Sequence, residues 1–222
     1  MKRLFLSLLL LFPLRIGAQT VNIDYHKGDK NTPAEMESVG VLQGSPEKVW
    51  VMVFDLNGQS RFMPRVNAAF FITDEGVEKA ESFSLHDSPN TIAREMEKYK
   101  KEPVRKQGGL WKEVGFKLID TPFPVTNRWL TFSITNDETK SRQHIFTQCW
   151  QSEVGNIKET HGCFVVEPGE NPNTTRLTFS QVLDPGGHIP EWAMKLGAGP
   201  TTRDMYKAMQ KEIGEKPKLV LK

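Results

Sequence analysis

Cysteine is the scarcest chemical resource in this chain: 222 residues hold two, Cys149 and Cys163. There is no Cys-x-x-Cys pair, which excludes a dithiol redox centre of that kind, and neither cysteine has metal-ligand spacing. Histidine is nearly as sparse. His26, His86, His144, His161 and His188 stand apart, without the close pairing of a zinc site. A Gly-x-Ser-x-Gly nucleophile elbow, a phosphate-cradling Walker loop and paired carboxylates are all missing. These absences predict no metal, no cofactor and no catalytic residue, and place a binding role ahead of an enzymatic one.

An excess of one charge is lacking too. The chain carries a formal +2, yet Lys2, Arg3 and Arg15 belong to its first segment. Without them 26 basic residues face 27 acidic ones, a formal charge of −1. That is no nucleic-acid footprint. Long apolar runs are limited to residues 4–14, short of the about 20 that a spanning helix needs. Lys2 and Arg3 before that run, and Arg15-Ile16-Gly17-Ala18-Gln19 after it, read as a secretory signal cleaved after Ala18. The expected destination is outside the cytoplasm, the periplasm in a bacterium; an uncleaved signal anchored in the inner membrane is the alternative. No cysteine follows the run, which argues against a lipoprotein.

What remains is one domain's worth of chain. Residues 19–35 read as a polar leader with at most a short helix, and a first strand follows at 36–43. Ser45-Pro46-Glu47 predicts a helix start, with Ser at the N-cap and Pro in the first turn. Val49, Trp50, Val53 and Phe54 continue at helical spacing, and Asn57-Gly58 ends the helix. A strand at 66–73 comes next. Residues 80–85 read as strand and 90–101 as helix. Ile92, Met96 and Tyr99 lie on one side of that helix, either a lid or a helix docked on the outside.

From 110 onward the pattern is strand after strand: 110–119, 128–135, 143–153, 162–166 and 176–183. Turn chemistry separates them at 121–124, 136–138, Gly155-Asn156 and 167–173. Short consecutive strands with tight turns make an antiparallel meander. Alternation sets Leu130, Phe132 and Ile134 on one face, and Leu177, Phe179 and Leu183 on one face of theirs. Cys149 and Cys163 lie on two consecutive strands, either bonded in an oxidising compartment or buried as two small apolar side chains. Last comes a helix over 190–214, bent near 197–200. Its apolar side carries Trp192, Leu196, Met205, Met209 and Ile213. The order strand, helix, strands, helix is an α+β domain.

Three segments bear a family resemblance. Gly44-Ser45-Pro46-Glu47-Lys48-Val49-Trp50, continuing to Arg61-Phe62-Met63-Pro64-Arg65-Val66, is the first. Phe123-Pro124-Val125-Thr126-Asn127-Arg128-Trp129 is the second. Asp184-Pro185-Gly186-Gly187-His188-Ile189-Pro190-Glu191-Trp192, leading into a helix with Pro200 midway, is the third. In this order they resemble the START-type helix-grip (SRPBCC) superfamily, which includes polyketide cyclases and coenzyme Q-binding proteins. The resemblance spans residues 36–214, departs from compact members in an insertion at 76–109, and leaves 215–222 as a tail. It implies a curved antiparallel sheet gripping the C-terminal helix, with a lipid, quinone or similar hydrophobic molecule held between them.

On that footing Trp192, Leu196, Met205 and Met209 line a cavity or are ordinary core. Phe132, Trp150, Phe164 and Phe179 face the same cavity if the register is right, since a slip of one residue reverses every face. Arg128 enters a strand among apolar neighbours. It pairs with an acid, the favoured reading, or meets the polar head of a ligand. The expected partner is a hydrophobic small molecule, with transient contact at a membrane surface during exchange. Alternatives are a cyclase- or hydrolase-like enzyme using the same cavity, and an interaction module whose core is filled.

Overall fold

The structure, a computed structural model, describes residues 21–28, 32–121, 125–186 and 191–214, with side chains in the last stretch from residue 199 onward. Residues 1–20, where the signal is expected, residues 215–222 and the side chains of Trp192 and Leu196 lie outside the described residues.

Nine strands form a single curved sheet: β1 (Val21–His26), β2 (Ala34–Gln43), β3 (Val66–Ile72), β4 (Lys100–Lys101), β5 (Leu110–Ile119), β6 (Arg128–Asp137), β7 (Phe146–Gly155), β8 (Glu159–Pro168) and β9 (Thr174–Asp184). Their spatial order is β1-β2-β9-β8-β7-β6-β5-β3-β4, antiparallel throughout. From β5 to β9 each strand pairs with its successor, as short turns require. Four helices accompany them: α1 (Pro46–Phe54), α2 (Asp74–Glu81), α3 (Pro89–Met96) and α4 (Glu191–Gly214), the last with Pro200 inside it.

Period-2 alternation gives the sheet two apolar faces. On the concave face Phe71, Leu130, Phe132, Ile134, Phe164, Leu177 and Phe179 join Trp50, Phe54, Met205, Tyr206 and Met209 in the main core. On the convex face Phe70, Ile72, Phe116, Leu118 and Trp129 form a second cluster with Ala80 of α2 and with Ile92 and Met96 of α3. The helices of the insertion thus dock on the back of the sheet. Ile92 and Met96 have no exposed surface, so the lid reading is wrong and the outer docking is what the fold uses.

Two stretches differ from their sequence reading. Residues 21–26 are an edge strand rather than part of a loose leader: Val21, Ile23 and Tyr25 alternate with polar residues, and only the former pack on the core. The strand expected at 80–85 is absent, because α2 begins upstream. There the Thr73 side chain accepts a hydrogen bond from the Gly76 N–H, and Asp74 and Glu75 occupy the first turn. That is N-terminal helix chemistry. Ser45 does hold the N-cap position of α1, but its side chain makes no capping hydrogen bond.

Cys149 and Cys163 sit directly opposite each other on β7 and β8, with Cα atoms 4.0 Å apart, and are joined in a disulfide. The bond closes a loop of sequence separation 14, for which the chain-entropy model gives about 3 kcal/mol. Reduction, or the double change to serine, is expected to lower unfolding stability in urea by about 2–3 kcal/mol. A shift below about 0.5 kcal/mol would mean that the bond does not staple the native hairpin.

Candidate functional site

The strand ladders run in a consistent sense across the sheet. The ends of β1, β5, β7 and β9 therefore lie at the same edge of the groove as the starts of β2, β6 and β8. The opposite edge is filled by α1, which contacts β7, β8, β9 and α4. There Trp50 stacks on Phe146 with ring centroids 5.4 Å apart and lies near Phe54 at 6.3 Å. Its indole N–H donates to the buried Glu138 carboxylate at 2.6 Å, and Glu138 also accepts from Arg105 Nε at 2.5 Å and from the Gly108 N–H at 3.1 Å.

α4 crosses the groove on a surface cut for it. Gly40 of β2 has no side chain, and the Tyr206 ring lies on its backbone; a Cβ there would sit 2.6 Å from the ring. The buried Tyr206 hydroxyl donates to the Leu177 carbonyl at 2.8 Å. Burial pushes its pKa up to about 12.

Between these fillings a cavity of about 300 Å3 is left. Its walls come from the concave face, from the turn after α1 (Leu56, Gln59, Met63) and from Thr201, Thr202 and Met205 of α4. Phe132, Trp150, Phe164 and Phe179 all line it. Trp150 stacks on Phe179 at 5.7 Å, Phe164 and Phe179 lie 4.9 Å apart, and Gly162 makes room for the Trp150 ring. Arg128 and Met205 also face the cavity. Met209 does not; it is buried in the main core further along α4.

Arg128 departs from the favoured reading. Among the described residues it pairs with no carboxylate: its Nη2 donates to the Gly186 carbonyl at 3.4 Å, and its buried Nε has no partner. Across the ladder it meets Ile119, which offers no charge. Loss of water pulls its pKa below the ordinary guanidinium value.

Sequence reasoning missed Lys117. It lines the cavity from β5, diagonal to Arg128 on the ladder, since Lys117 pairs with Leu130 and Ile119 with Arg128. Its ammonium lies 5.4 Å from the centroid of the Phe132 ring, a cation–π contact. Among the described residues no carboxylate reaches it. Lys117 is half-buried in the wall, and burial pulls its pKa down to about 8. The available signal was alternation: Trp111, Lys117 and Ile119 share a face of β5, so a charge sits in an inward row. The other wall charges are Glu35, which is exposed, and Arg65 with Asp120, paired at 3.6 Å. Gln148 donates to Asn136 at 2.9 Å and Gln181 to Thr160 at 3.1 Å.

No family model matches the chain, and no curated protein matches it. Solved structures do. A STAR-related lipid transfer protein fragment from Xanthomonas axonopodis superposes with TM-score 0.62 at 15% identity, covering 90% of this chain and 96% of that one. Human StAR-related lipid transfer protein 5 gives 0.61 at 11% identity, over 88% and 82%. The Zhui aromatase/cyclase from a Streptomyces gives 0.53 at 10% identity, over 82% and 94%. At such identities the likeness concerns architecture alone, and on architecture it agrees with the sheet and the gripped helix: the chain has the START-like helix-grip fold.

Proposed function

We propose that the protein binds and carries one hydrophobic small molecule, a lipid or quinone, outside the cytoplasm after cleavage behind Ala18. The observation that carries this reading is the unfilled cavity of about 300 Å3 between sheet and α4, walled largely by aromatic and aliphatic side chains. Each 100 Å2 of ligand surface taken from water into such walls contributes roughly 2.5 kcal/mol. The polar groups among them orient the guest. The Cys149–Cys163 bond fits an oxidising compartment. Exchange then needs movement near Pro185, which lines the cavity, with transient contact at a membrane surface; α2 and α3 lie on the far side of the sheet and do not gate it.

Acid–base catalysis has less support. No histidine is among the described wall residues, and Asp120 is engaged by Arg65. Native mass spectrometry of protein purified from its own envelope tests the carrier reading. The expected result is a co-purifying lipid or quinone mass. An empty protein that also refuses fluorescent fatty acids and quinone analogues would refute it.

A further inference from the structure

The cavity wall is short of one negative charge. Two cations, Lys117 and Arg128, face it from adjacent strands, and neither has a carboxylate among the described residues. Their only described interactions are the Phe132 ring for Lys117 and the Gly186 carbonyl for Arg128, with Arg128 Nε left over. Burying a charge without a counter-ion is costly, and this wall carries two such cations on adjacent strands. The nearby Arg65–Asp120 pair shows that acids are at hand in the wall, yet Asp120 is spent on Arg65. Such an arrangement is made whole by an anion that arrives with the guest. A guanidinium fork suits a carboxylate, and an ammonium alongside adds charge.

Size narrows the class further. About 300 Å3 stands at the small end of the roughly 300–1,000 Å3 of ligand pockets. That volume takes one chain rather than two. The aromatic group of Phe132, Trp150, Phe164 and Phe179 supplies the apolar bed beside the cations.

We propose, building on the carrier reading, that the ligand is a single-chain amphiphile with an anionic head, a long-chain carboxylate, whose head sits between Lys117 and Arg128 and whose chain lies on the aromatic bed. The other charged and titratable groups of the described cavity wall are Arg128 from β6, Arg65 and Asp120 from the flanking loops, and Tyr25 and Glu35 from β1 and β2. Lys117, drawn down to about 8, is the one that discharges in mildly alkaline solution.

The test is calorimetric titration of the delipidated protein with palmitate, hexadecanol, methyl palmitate and hexadecylphosphate. Palmitate is expected to bind at least tenfold tighter than the alcohol or the ester. Lys117→Met and Arg128→Met should each cost palmitate tenfold or more while leaving hexadecanol within about twofold, and Lys117→Arg should keep the preference. Palmitate affinity should fall as pH rises past about 8, and that fall should vanish in Lys117→Met. Equal binding of acid, alcohol and ester overturns the anionic head but leaves the carrier reading intact. Tighter binding of hexadecylphosphate than palmitate overturns the carboxylate assignment. Failure of all four to bind overturns the long-chain carboxylate, while the carrier reading falls only if the protein also comes empty from its envelope and refuses quinone analogues; Lys117→Arg guards against a variant that merely misfolds.

Discussion

Trp50→Ala is expected to cost about 4–5 kcal/mol, at the top of the range for a large aromatic truncated in a core. The side chain has no exposed surface, stacks on Phe146 and holds one of the hydrogen bonds that satisfy buried Glu138. Cavity and lost hydrogen bond therefore add. Against a typical total of about 5–15 kcal/mol, such a loss leaves the protein close to unfolding at room temperature. Urea denaturation followed by far-ultraviolet circular dichroism measures it. A loss under about 2 kcal/mol would mean that α1 does not plug its end of the groove as tightly as the ring stacking indicates.

Lys117→Met should act in the other direction. Removing a buried, unpaired ammonium is expected to stabilise the empty protein at pH 7 by on the order of 2–3 kcal/mol. The pH profile carries the same signature. Folding lowers the Lys117 pKa from its ordinary 10.5 to about 8, so between those values the unfolded chain holds a proton that the folded one has released. Stability therefore rises with pH across that window and is lowest, as far as this group is concerned, below about pH 8. Above pH 10 Tyr206, raised to about 12, works against folding, because the unfolded phenol ionises first. The wild-type rise between pH 8 and 10, and its loss in Lys117→Met, are read from urea midpoints at each pH. A Lys117→Met variant less stable than wild type at pH 7 would show that the ammonium has a counter-ion. The trade resembles other functional sites, where a group retained for binding is held at a cost in stability.

Much of the fold was legible in local pattern. Turn residues at Gly155-Asn156 and 167–173, with alternation between them, placed β5 to β9, because a strand's faces are set by period 2 and its ends by residues that favour turns. Misreadings occurred where two local signals competed. Val21-Asn22-Ile23-Asp24-Tyr25-His26 alternates as a half-buried strand, but a charged cluster directly after it made the whole stretch read as leader. At 74–81 acidic first-turn residues announced a helix, while apolar residues at 80–85 suggested a strand. β1 gained its partner from β2, whose pairing extends it by one more strand at the sheet edge.

Sequence by itself determined which residues lie on each side of the strands of the meander, and that a last helix had an apolar side to bury. These depend on neighbours a few positions apart. Only the tertiary structure decided that α1 fills one end of the groove and leaves the other vacant, that Met209 belongs to the packed end while Met205 borders the space, and that Lys117 and Arg128 face that space with no carboxylate paired to either among the described residues. Whether a volume stays empty, or a charge unanswered, is settled by side chains brought in from strands far apart in the chain. No window of sequence contains that sum.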